Sequence, residues 1–468
     1  MSSAAMPSLG WLGIFRLGLV QTALGAIVVM TTSTLNRVMV VELALPAMLP
    51  GALVAWHYAL QFLRPRLGHG SDLGGRRTPW IVGGMAVLAT GGVVAATATA
   101  WMSTHLTAGI ALAVLGFFLI GIGVGAAGTN LLVLLAKRVD DRRRAPAATI
   151  VWVMMIAGFA ITAGIAGHLL DPYSPARLVA VTTGVSVIAM AVTLLAVWGV
   201  EGQRSASARS SAGVEPAAPR TPFRVAFRQV WEESAARQFT VFIFVSMLAY
   251  GAQDLILEPF AGTIFGLTPG ESTKLSGVQN GGVLAGMIFI AIAAGVGRGG
   301  RVSTLRRWTV AGCIASGIAL IGLAVAGFVG QAWPLRASVF FLGLANGAYA
   351  IAAIGSMMAL VTAGRKSREG VRMGMWGAAQ AVAFGSGGFL GTVAVDAARA
   401  LLGSPLVAYA LVFAVEGVLF LVAAVLAARI AVREPGEAEV DRYPVDGPTP
   451  ASPSEPRVAP LTIEGARA

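Results

Sequence analysis

The sequence is poor in cysteine, histidine and charged side chains. Cys313 is the only cysteine in 468 residues, so the chain cannot close an internal disulfide or build a cysteine-based metal centre. Charged residues make up 12% of the chain, about half the usual share in a soluble domain, whereas hydrophobic residues make up 56%. This composition excludes an ordinary soluble protein and indicates one that lies mostly in lipid.

Twelve apolar runs, six on each side of a polar segment, are long enough to cross a hydrocarbon core of about 30 Å as helices. Because lipid offers no hydrogen-bond partner to the backbone, such runs must be helical. The sequence therefore predicts an all-α polytopic membrane protein with twelve transmembrane helices. The predicted runs are 13–36, 48–65, 79–100, 107–136, 145–168, 177–199, 239–259, 275–297, 307–330, 335–362, 371–395 and 404–430.

The two halves of the chain repeat each other. FFLIGIGVGAAG at 117–128 is similar to FFLGLANGAYAI at 340–351, at an offset close to half the chain, which is typical of transporters built from two pseudo-symmetric six-helix bundles. The predicted parts are an N-terminal bundle (1–199), a cytoplasmic linker with a short amphipathic helix (200–238), a C-terminal bundle (239–432) and a disordered cytoplasmic tail (433–468).

The positive charges fix a predicted orientation. The net charge is +12, but of the 34 Lys and Arg residues the alternate loops opposite the N-terminus hold only Arg37, Arg177, Lys274, Arg336 and Arg399. Such a bias follows the positive-inside rule, so both termini are expected in the cytoplasm and a nucleic-acid partner is not expected. The first run lacks a small-residue cleavage site, and we expect it to be retained as a helix.

Within the linker, a short helix is predicted to begin at Thr221 as N-cap, with Pro222 at its first position. Phe227 and Trp231 fall on an apolar face and Arg228 on the polar one. The helix either rests on the inner membrane surface or packs as a cytoplasmic linker, and the sequence does not choose between the two.

The loop between the second and third runs carries Gly68, Asp72, Gly75, Arg76 and Arg77 in the order Gly-x-x-x-Asp-x-x-Gly-Arg-Arg. Glycine suits a tight turn, and Asp72 could cap a helix end and pair with arginine. The spacing and position resemble the signature loop of the major facilitator superfamily. The resemblance implies that superfamily's fold and a cytoplasmic latch at this loop.

Charged residues at membrane depth are costly and mark functional sites by default. The first run ends with Arg37 and Glu42, and the seventh carries Gln253, Asp254 and Glu258. We predict that these five residues form a charge cluster between the bundles, with Arg37 paired to Asp254 or Glu258. The cluster is either a structural latch or a substrate or proton site.

His57 lies about midway along the second run, beside Tyr58 and Gln61. A neutral imidazole can serve as an axial ligand to the magnesium of a chlorin. These three residues are therefore the candidate pigment-binding group. The alternative is a histidine that only hydrogen-bonds a neighbouring helix.

Three longer segments carry a closer resemblance: NRVMVVEL (36–43), HYALQFLRPRLGHGSDLGGRRTPWIVGGM (57–85) and AQDLILEPFAGTIFGLTPGEST (252–273). They resemble the PucC/LhaA family, the bacteriochlorophyll-delivery branch of the major facilitator superfamily, and are more similar to its LhaA-type members. The resemblance spans all twelve predicted helices.

The family resemblance implies an assembly factor for the LH1 light-harvesting complex in the intracytoplasmic photosynthetic membrane of a bacterium. Bacteriochlorophyll a is then the expected cargo, and no cofactor is required. The implied partners are LH1 antenna polypeptides, reaction-centre assembly intermediates, a pigment synthase and a membrane insertase.

Two other functions compete with this one. A proton-coupled small-molecule transporter would use Asp254 and Glu258 in a polar cavity. A membrane enzyme acting on pigment has less support, because the sequence shows no catalytic motif and its four histidines lie in different segments. We therefore expect neither catalytic residues nor a metal site.

Overall fold

The computed structural model describes residues 9–63, 76–201, 223–293, 302–363 and 369–430, and every regular element in these ranges is a helix. The helices are α1 (Trp11–Glu42), α2 (Met48–Ala59), α3 (Thr78–Met102), α4 (Leu106–Arg138), α5 (Asp141–Leu169), α6 (Pro175–Val197), α7 (Phe223–Glu232), α8 (Ser234–Phe265), α9 (Pro269–Ala293), α10 (Val302–Val329), α11 (Leu335–Ala363), α12 (Glu369–Leu402) and α13 (Pro405–Arg429).

Eleven of the described helices are long and apolar enough to cross a membrane, which confirms the predicted all-α polytopic architecture. The second predicted run, 48–65, differs in its described part. It forms the 12-residue helix α2 and then tightens into a 3-10 turn at Leu60–Leu63. The next residues in the sequence are Arg64 and Pro65, and a residue before proline disfavours the α conformation.

Helix α1 changes its winding as it crosses the molecule. It is regular from Trp11 to Val29 and then contains two π-helical segments, Met30–Thr34 and Val38–Glu42. All five side chains of the first π segment are buried. Wider π turns are rare and often occur at functional sites, and this one carries the polar sequence MTTST into the interior.

Close helix packing in both halves depends on glycine. A Cβ atom added to Gly123 of α4 would overlap the backbone of Leu88 in α3. In the second half, a Cβ on Gly343 of α11 would overlap the carbonyl of Gln279 in α9. Gly123 and Gly343 lie in the two copies of the repeated sequence, where small residues allow helix backbones to approach in lipid.

The two halves meet along three sets of helices. Helix α5 packs against α9, α2 packs against α12, and α1 contacts both α8 and α9. In the α5–α9 contact, Ile156 belongs to the same buried apolar cluster as Met287 and Ile290. The third contact contains most of the polar groups, so it positions the candidate site.

The predicted linker helix is present as α7, whereas its predicted cap residues Thr221 and Pro222 lie outside the described residues. Val230 is fully buried, while the rings of Phe227 and Trp231 stack 6.3 Å apart and are partly exposed. The predicted tail (433–468) and most of the linker also lie outside the described residues.

Candidate functional site

Arg37 and Glu42 of α1 form an ion pair, with Arg37 Nη1 donating to Glu42 Oε1 at 2.5 Å. The residues are five apart, and the π turn Val38–Glu42 places such a pair on one face of the helix. Arg37 is buried, whereas Glu42 is one-third exposed. The pair lets a guanidinium sit inside the molecule with its charge neutralised.

This pairing corrects the prediction that Arg37 would bind Asp254 or Glu258. Arg37 does reach the second half, but there its Nη2 donates to the carbonyl oxygen of Leu267 at 2.5 Å. It also lies against Gly262, one helical turn beyond Glu258 on α8. The carboxylate that forms an ion pair with Arg37 is Glu42, on its own helix.

Glu258 instead lies within a polar seam that joins α1, α8 and α9. Its Oε1 accepts a hydrogen bond from the Ser33 hydroxyl, which also lies 3.1 Å from the hydroxyl of Ser276. One position along, the hydroxyls of Thr34 and Thr273 are 3.2 Å apart. All five side chains are buried, so the seam crosses the boundary between the halves out of contact with water.

The remaining predicted members of the cluster lie on α8, close to this seam. Gln253 is fully buried, and neither of its amide atoms has a hydrogen-bond partner among the described residues. Asp254 is partly exposed. On α1, Asn36 donates to the carbonyl oxygen of Leu255 at 2.6 Å. The structure thus brings α1 and α8 together as predicted, but through hydroxyl and backbone groups as well as charges.

A second contact between the halves was not predicted from the sequence. Asp171, in the loop between α5 and α6, accepts hydrogen bonds from Lys274 Nζ at 3.0 Å and from the Thr268 hydroxyl at 2.9 Å. Burial raises the pKa of Asp171, but these hydrogen bonds and the Lys274 charge outweigh burial and hold it below its usual range. Lys274 was the available signal, since it is one of few cations predicted on that side.

The same loop approaches the Arg37–Glu42 pair. Burial, followed by the nearby Glu42 carboxylate, raises the pKa of Tyr173 to about 12, so its hydroxyl stays protonated. At the same end of the molecule, Asp396 of α12 accepts hydrogen bonds from the backbone N–H groups of Ala47 and Met48. Several polar contacts therefore close this end of the boundary between the halves.

His57 is almost completely buried, and Tyr58 and Gln61 lie close to it on the same segment of chain. Its Nε2 is 3.4 Å from Nε2 of Gln61, and its ring stands edge-on to Tyr58, with the ring centroids 4.6 Å apart. Backbone atoms of α2 at this point lie against Gly121 of α4. The three predicted residues do form one group, and its role in binding pigment stays a prediction.

Tyr58 begins a line of aromatic rings that crosses into the second half. Its ring lies 5.0 Å from that of Phe384 in α12, which lies 5.7 Å from Tyr250 in α8. Tyr250 in turn lies 6.4 Å from Tyr349 in α11. This line offers a largely apolar, polarisable surface beside Asp254, which is one helical turn from Tyr250.

Of the predicted signature loop, Gly68, Asp72 and Gly75 lie outside the described residues. Arg76 is exposed, whereas Arg77 is buried and donates to Asn130 of α4 at 3.3 Å. The backbone N–H groups of Arg77 and Thr78 donate to the carboxylate of Glu201 at 2.6 and 2.9 Å.

Glu201, which sequence reasoning missed, therefore caps the start of α3 from beyond the end of α6. Burial raises the pKa of this carboxyl, but the N–H groups of Thr78 and Arg77 and the charge of Arg76 lower it below its usual range.

Residues 34–435 match the protein family described as PUCC protein. The chain belongs to the PUCC family. The matched range contains the Asp171–Lys274 contact, the His57 group and every member of the polar seam except Ser33, which directly precedes it.

Two relatives of this PUCC family chain, both from Rhodobacter capsulatus, match nearly its whole length. It is 51% identical over 435 residues to a protein named bacteriochlorophyll synthase 44.5 kDa chain, covering 92% of this chain and 98% of the relative. It is 31% identical to a protein named PucC, covering 88% of this chain and 90% of that relative.

A third relative from the same organism is named only as an uncharacterized protein in the puhA-bchM intergenic region. It is 30% identical, over 91% of this chain and 90% of the relative. The PUCC family chain is thus nearer to the first relative than to the other two, and an LhaA-type assignment within the family stays a prediction.

Among solved structures, the PUCC family chain resembles a sulfate-bound mutant of the peptide transporter POT. The TM-score is 0.64 with 15% identity, over 91% of this chain and 97% of that chain. This similarity confirms a fold of the major facilitator type.

Proposed function

We propose that this protein assists the assembly of light-harvesting complexes by holding or delivering bacteriochlorophyll to antenna polypeptides. The observation that carries the proposal is 51% identity, over nearly the full length, to a protein named for bacteriochlorophyll synthesis, together with membership of the PUCC family. The proposed complex is LH1 around the reaction centre, and the proposed cargo is bacteriochlorophyll a.

The surface of the helices supports a role among membrane-embedded partners. Helix α6 exposes large apolar side chains at Val187, Ile188, Leu194 and Leu195. Such a face would lie in lipid, where single-helix antenna polypeptides and the apolar face of a chlorin can reach it. The proposed partners are LH1 polypeptides, reaction-centre assembly intermediates, a pigment synthase and a membrane insertase.

We propose a carrier or chaperone rather than a catalyst, although one relative is named as a synthase chain. The described histidines His57, His105 and His168 lie on three different elements, and the described residues contain no group of three or more His, Cys, Asp or Glu side chains that could hold a metal ion. Enzymatic synthesis of pigment by the purified protein alone would contradict this part of the proposal.

A deletion strain tests the function directly. Loss of the gene should lower the near-infrared absorption of the core antenna while reaction-centre polypeptides still accumulate. The intact gene supplied in trans should restore the absorption. Normal core antenna levels in the deletion strain would exclude a role in LH1 assembly.

His57→Phe tests whether the His57 group holds the pigment. The substitution keeps an aromatic ring and removes both ring nitrogens. If His57 is the axial ligand, the purified variant should contain less bacteriochlorophyll than the parent and show a shifted red-most band. Unchanged pigment content and spectrum would assign His57 to helix packing alone.

A proton-coupled transporter is the second candidate, favoured by the fold and by two carboxylates four residues apart on α8, Asp254 and Glu258. Solute flux into liposomes driven by a proton gradient, lost in Asp254→Asn, would support it over the assembly function.

The proposed location is the bacterial inner photosynthetic membrane, with both termini in the cytoplasm. Reporter fusions after residue 430 test the orientation, because a reporter active only in the cytoplasm should then be functional. A fusion active only outside the cytoplasm would reverse the proposed topology.

A further inference from the structure

Three oxygen-bearing side chains from three helices meet in the polar seam: Ser33 of α1, Glu258 of α8 and Ser276 of α9. Ser33 hydrogen-bonds Glu258 and lies 3.1 Å from Ser276, and none of the three is more than 8% exposed. The second carboxylate oxygen of Glu258, Oε2, has no hydrogen-bond partner within the described part of the chain.

The charges around Glu258 do not balance. Arg37 is paired with Glu42, and Lys274 of α9 is paired with Asp171. Over the ranges that the structure describes, Glu258 takes part in no ion pair. The charges of Arg37 and Asp254 also act on Glu258, but Arg37 is already paired with Glu42 and Asp254 adds negative charge. A buried carboxylate at membrane depth without an ion pair of its own is costly, so Glu258 requires a positive partner or neutralisation.

We propose that Ser33, Glu258 and Ser276 form a binding site for a small monovalent metal cation such as Na⁺. Carboxylate and hydroxyl oxygens suit hard cations. One carboxylate matches a single positive charge, whereas a divalent ion would leave an excess charge in the interior. The π segment that carries Ser33 is a second, independent feature, since such segments often mark binding sites and supply oxygen ligands from irregular helices.

The site lies across the boundary between the halves, because Ser33 belongs to the first half and the other two residues to the second. A bound cation would therefore attract α1 towards α8 and α9. Thr34 and Thr273, 3.2 Å apart beside the site, extend the same oxygen-rich surface. The cation would favour the arrangement in which this region is closed, whatever cargo the protein handles.

Thermal unfolding of the purified full-length protein in detergent tests the site, with NaCl, KCl or choline chloride at equal ionic strength and pH. Na⁺ should raise the midpoint with the logarithm of its concentration above its Kd, by about 2 °C at ten times the Kd, and choline should not. Glu258→Gln should abolish the Na⁺ response. The matched control is Glu416→Gln, which alters an equally buried glutamate on α13 and should leave the Na⁺ response intact.

Ser276→Ala provides a second variant in case Glu258→Gln does not accumulate. It keeps the carboxylate and removes one oxygen, and should raise the Na⁺ concentration needed for a given rise in the midpoint about tenfold. The proposal would be overturned by equal responses to all three salts. It would also be overturned by a Na⁺ response that survives in Glu258→Gln or is unchanged in Ser276→Ala. A midpoint that depends on pH but not on Na⁺ would overturn it too, because Glu258 would then be neutralised by a proton.

This test needs neither pigment nor antenna polypeptides. A failure of the cation proposal therefore leaves the proposed assembly function unaffected, and the reverse also holds.

Discussion

At the scale of single residues, Arg37 shows how a buried charge is accommodated by local winding. The π turn after it brings Glu42 within 2.5 Å, so the ion pair is complete within one helix. The contact with the second half then uses the carbonyl of Leu267, which is present whatever side chain stands there. Arg37 is thus tied to both halves without a carboxylate from the second.

A double-mutant cycle distinguishes this arrangement from pairing across the halves. Arg37→Ala and Glu42→Ala should couple by about 1–2 kcal/mol in the free energy of unfolding, because removing Glu42 leaves a buried cation unpaired. The same cycle with Arg37→Ala and Asp254→Ala should show coupling below about 0.5 kcal/mol. Strong coupling to Asp254 instead of Glu42 would restore the pairing predicted from the sequence.

Glu201 is the second informative residue, since its carboxylate replaces water at the first N–H groups of α3. Glu201→Gln should lower the free energy of unfolding by about 1 kcal/mol at neutral pH, because it removes a negatively charged cap. The pKa of Glu201 in the folded protein is lowered, so the stability that its carboxylate adds is fully present above the unfolded-state pKa near 4.3. That stability is lost as the pH falls through the folded-state pKa.

Chemical unfolding of both proteins at pH 7 and at pH 3 measures this difference. The gap between wild type and Glu201→Gln should narrow at the lower pH. A gap that is equal at both values would mean that Glu201 acts through packing rather than charge.

At the scale of elements, the apolar runs predicted the all-α fold class and twelve spanning helices, of which the described ranges contain eleven that are long enough to cross a membrane. Two features could not be read in this way. The π segments of α1 leave no mark in a helix-period pattern, and the 3-10 turn at Leu60–Leu63 lies inside the single predicted run 48–65.

The contact between α9 and α11 provides a test at this scale. Gly343→Ala should destabilise the protein by about 1–3 kcal/mol, since its Cβ would overlap the carbonyl of Gln279 and must push the two backbones apart. Gly281 on α9 has open space at its Cβ position, and Gly281→Ala should be neutral or stabilising. The melting temperatures of the two variants in one detergent compare the sites, and equal shifts would contradict the packing argument.

At the scale of the whole molecule, contacts at one end hold the halves together: Asp171 with Lys274 and Thr268, Arg37 with Leu267, and Asp396 with the α1–α2 connection. The sequence predicted that α1 and α8 would approach. It could not predict the Asp171 contact, because the two partners are 103 positions apart and each alone resembles an ordinary loop charge.

Asp171→Asn should weaken this closure and increase access to the seam beneath it. A cysteine introduced at Thr34, which is 1% exposed, should react about two- to fivefold faster with a membrane-impermeant maleimide when Asp171→Asn is present than when it is absent. The lost ion pair is partly exposed and contributes up to about 1 kcal/mol to the closed arrangement, which sets this limit on the change in rate. The native Cys313 is fully buried and gives a low background. Arg336→Gln, at an exposed arginine near the same end, is the control and should leave the rate unchanged.

The use of backbone atoms in several of these contacts has an evolutionary consequence. Asn36 and Arg37 bind the carbonyls of Leu255 and Leu267, and Asp396 binds two amide groups, so one partner in each case can change its side chain freely. Correlated substitution between alignment positions reports pairs of side chains. Among homologues, these contacts should leave no covariation signal, whereas Asp171 with Lys274 and Ser33 with Ser276 should vary together.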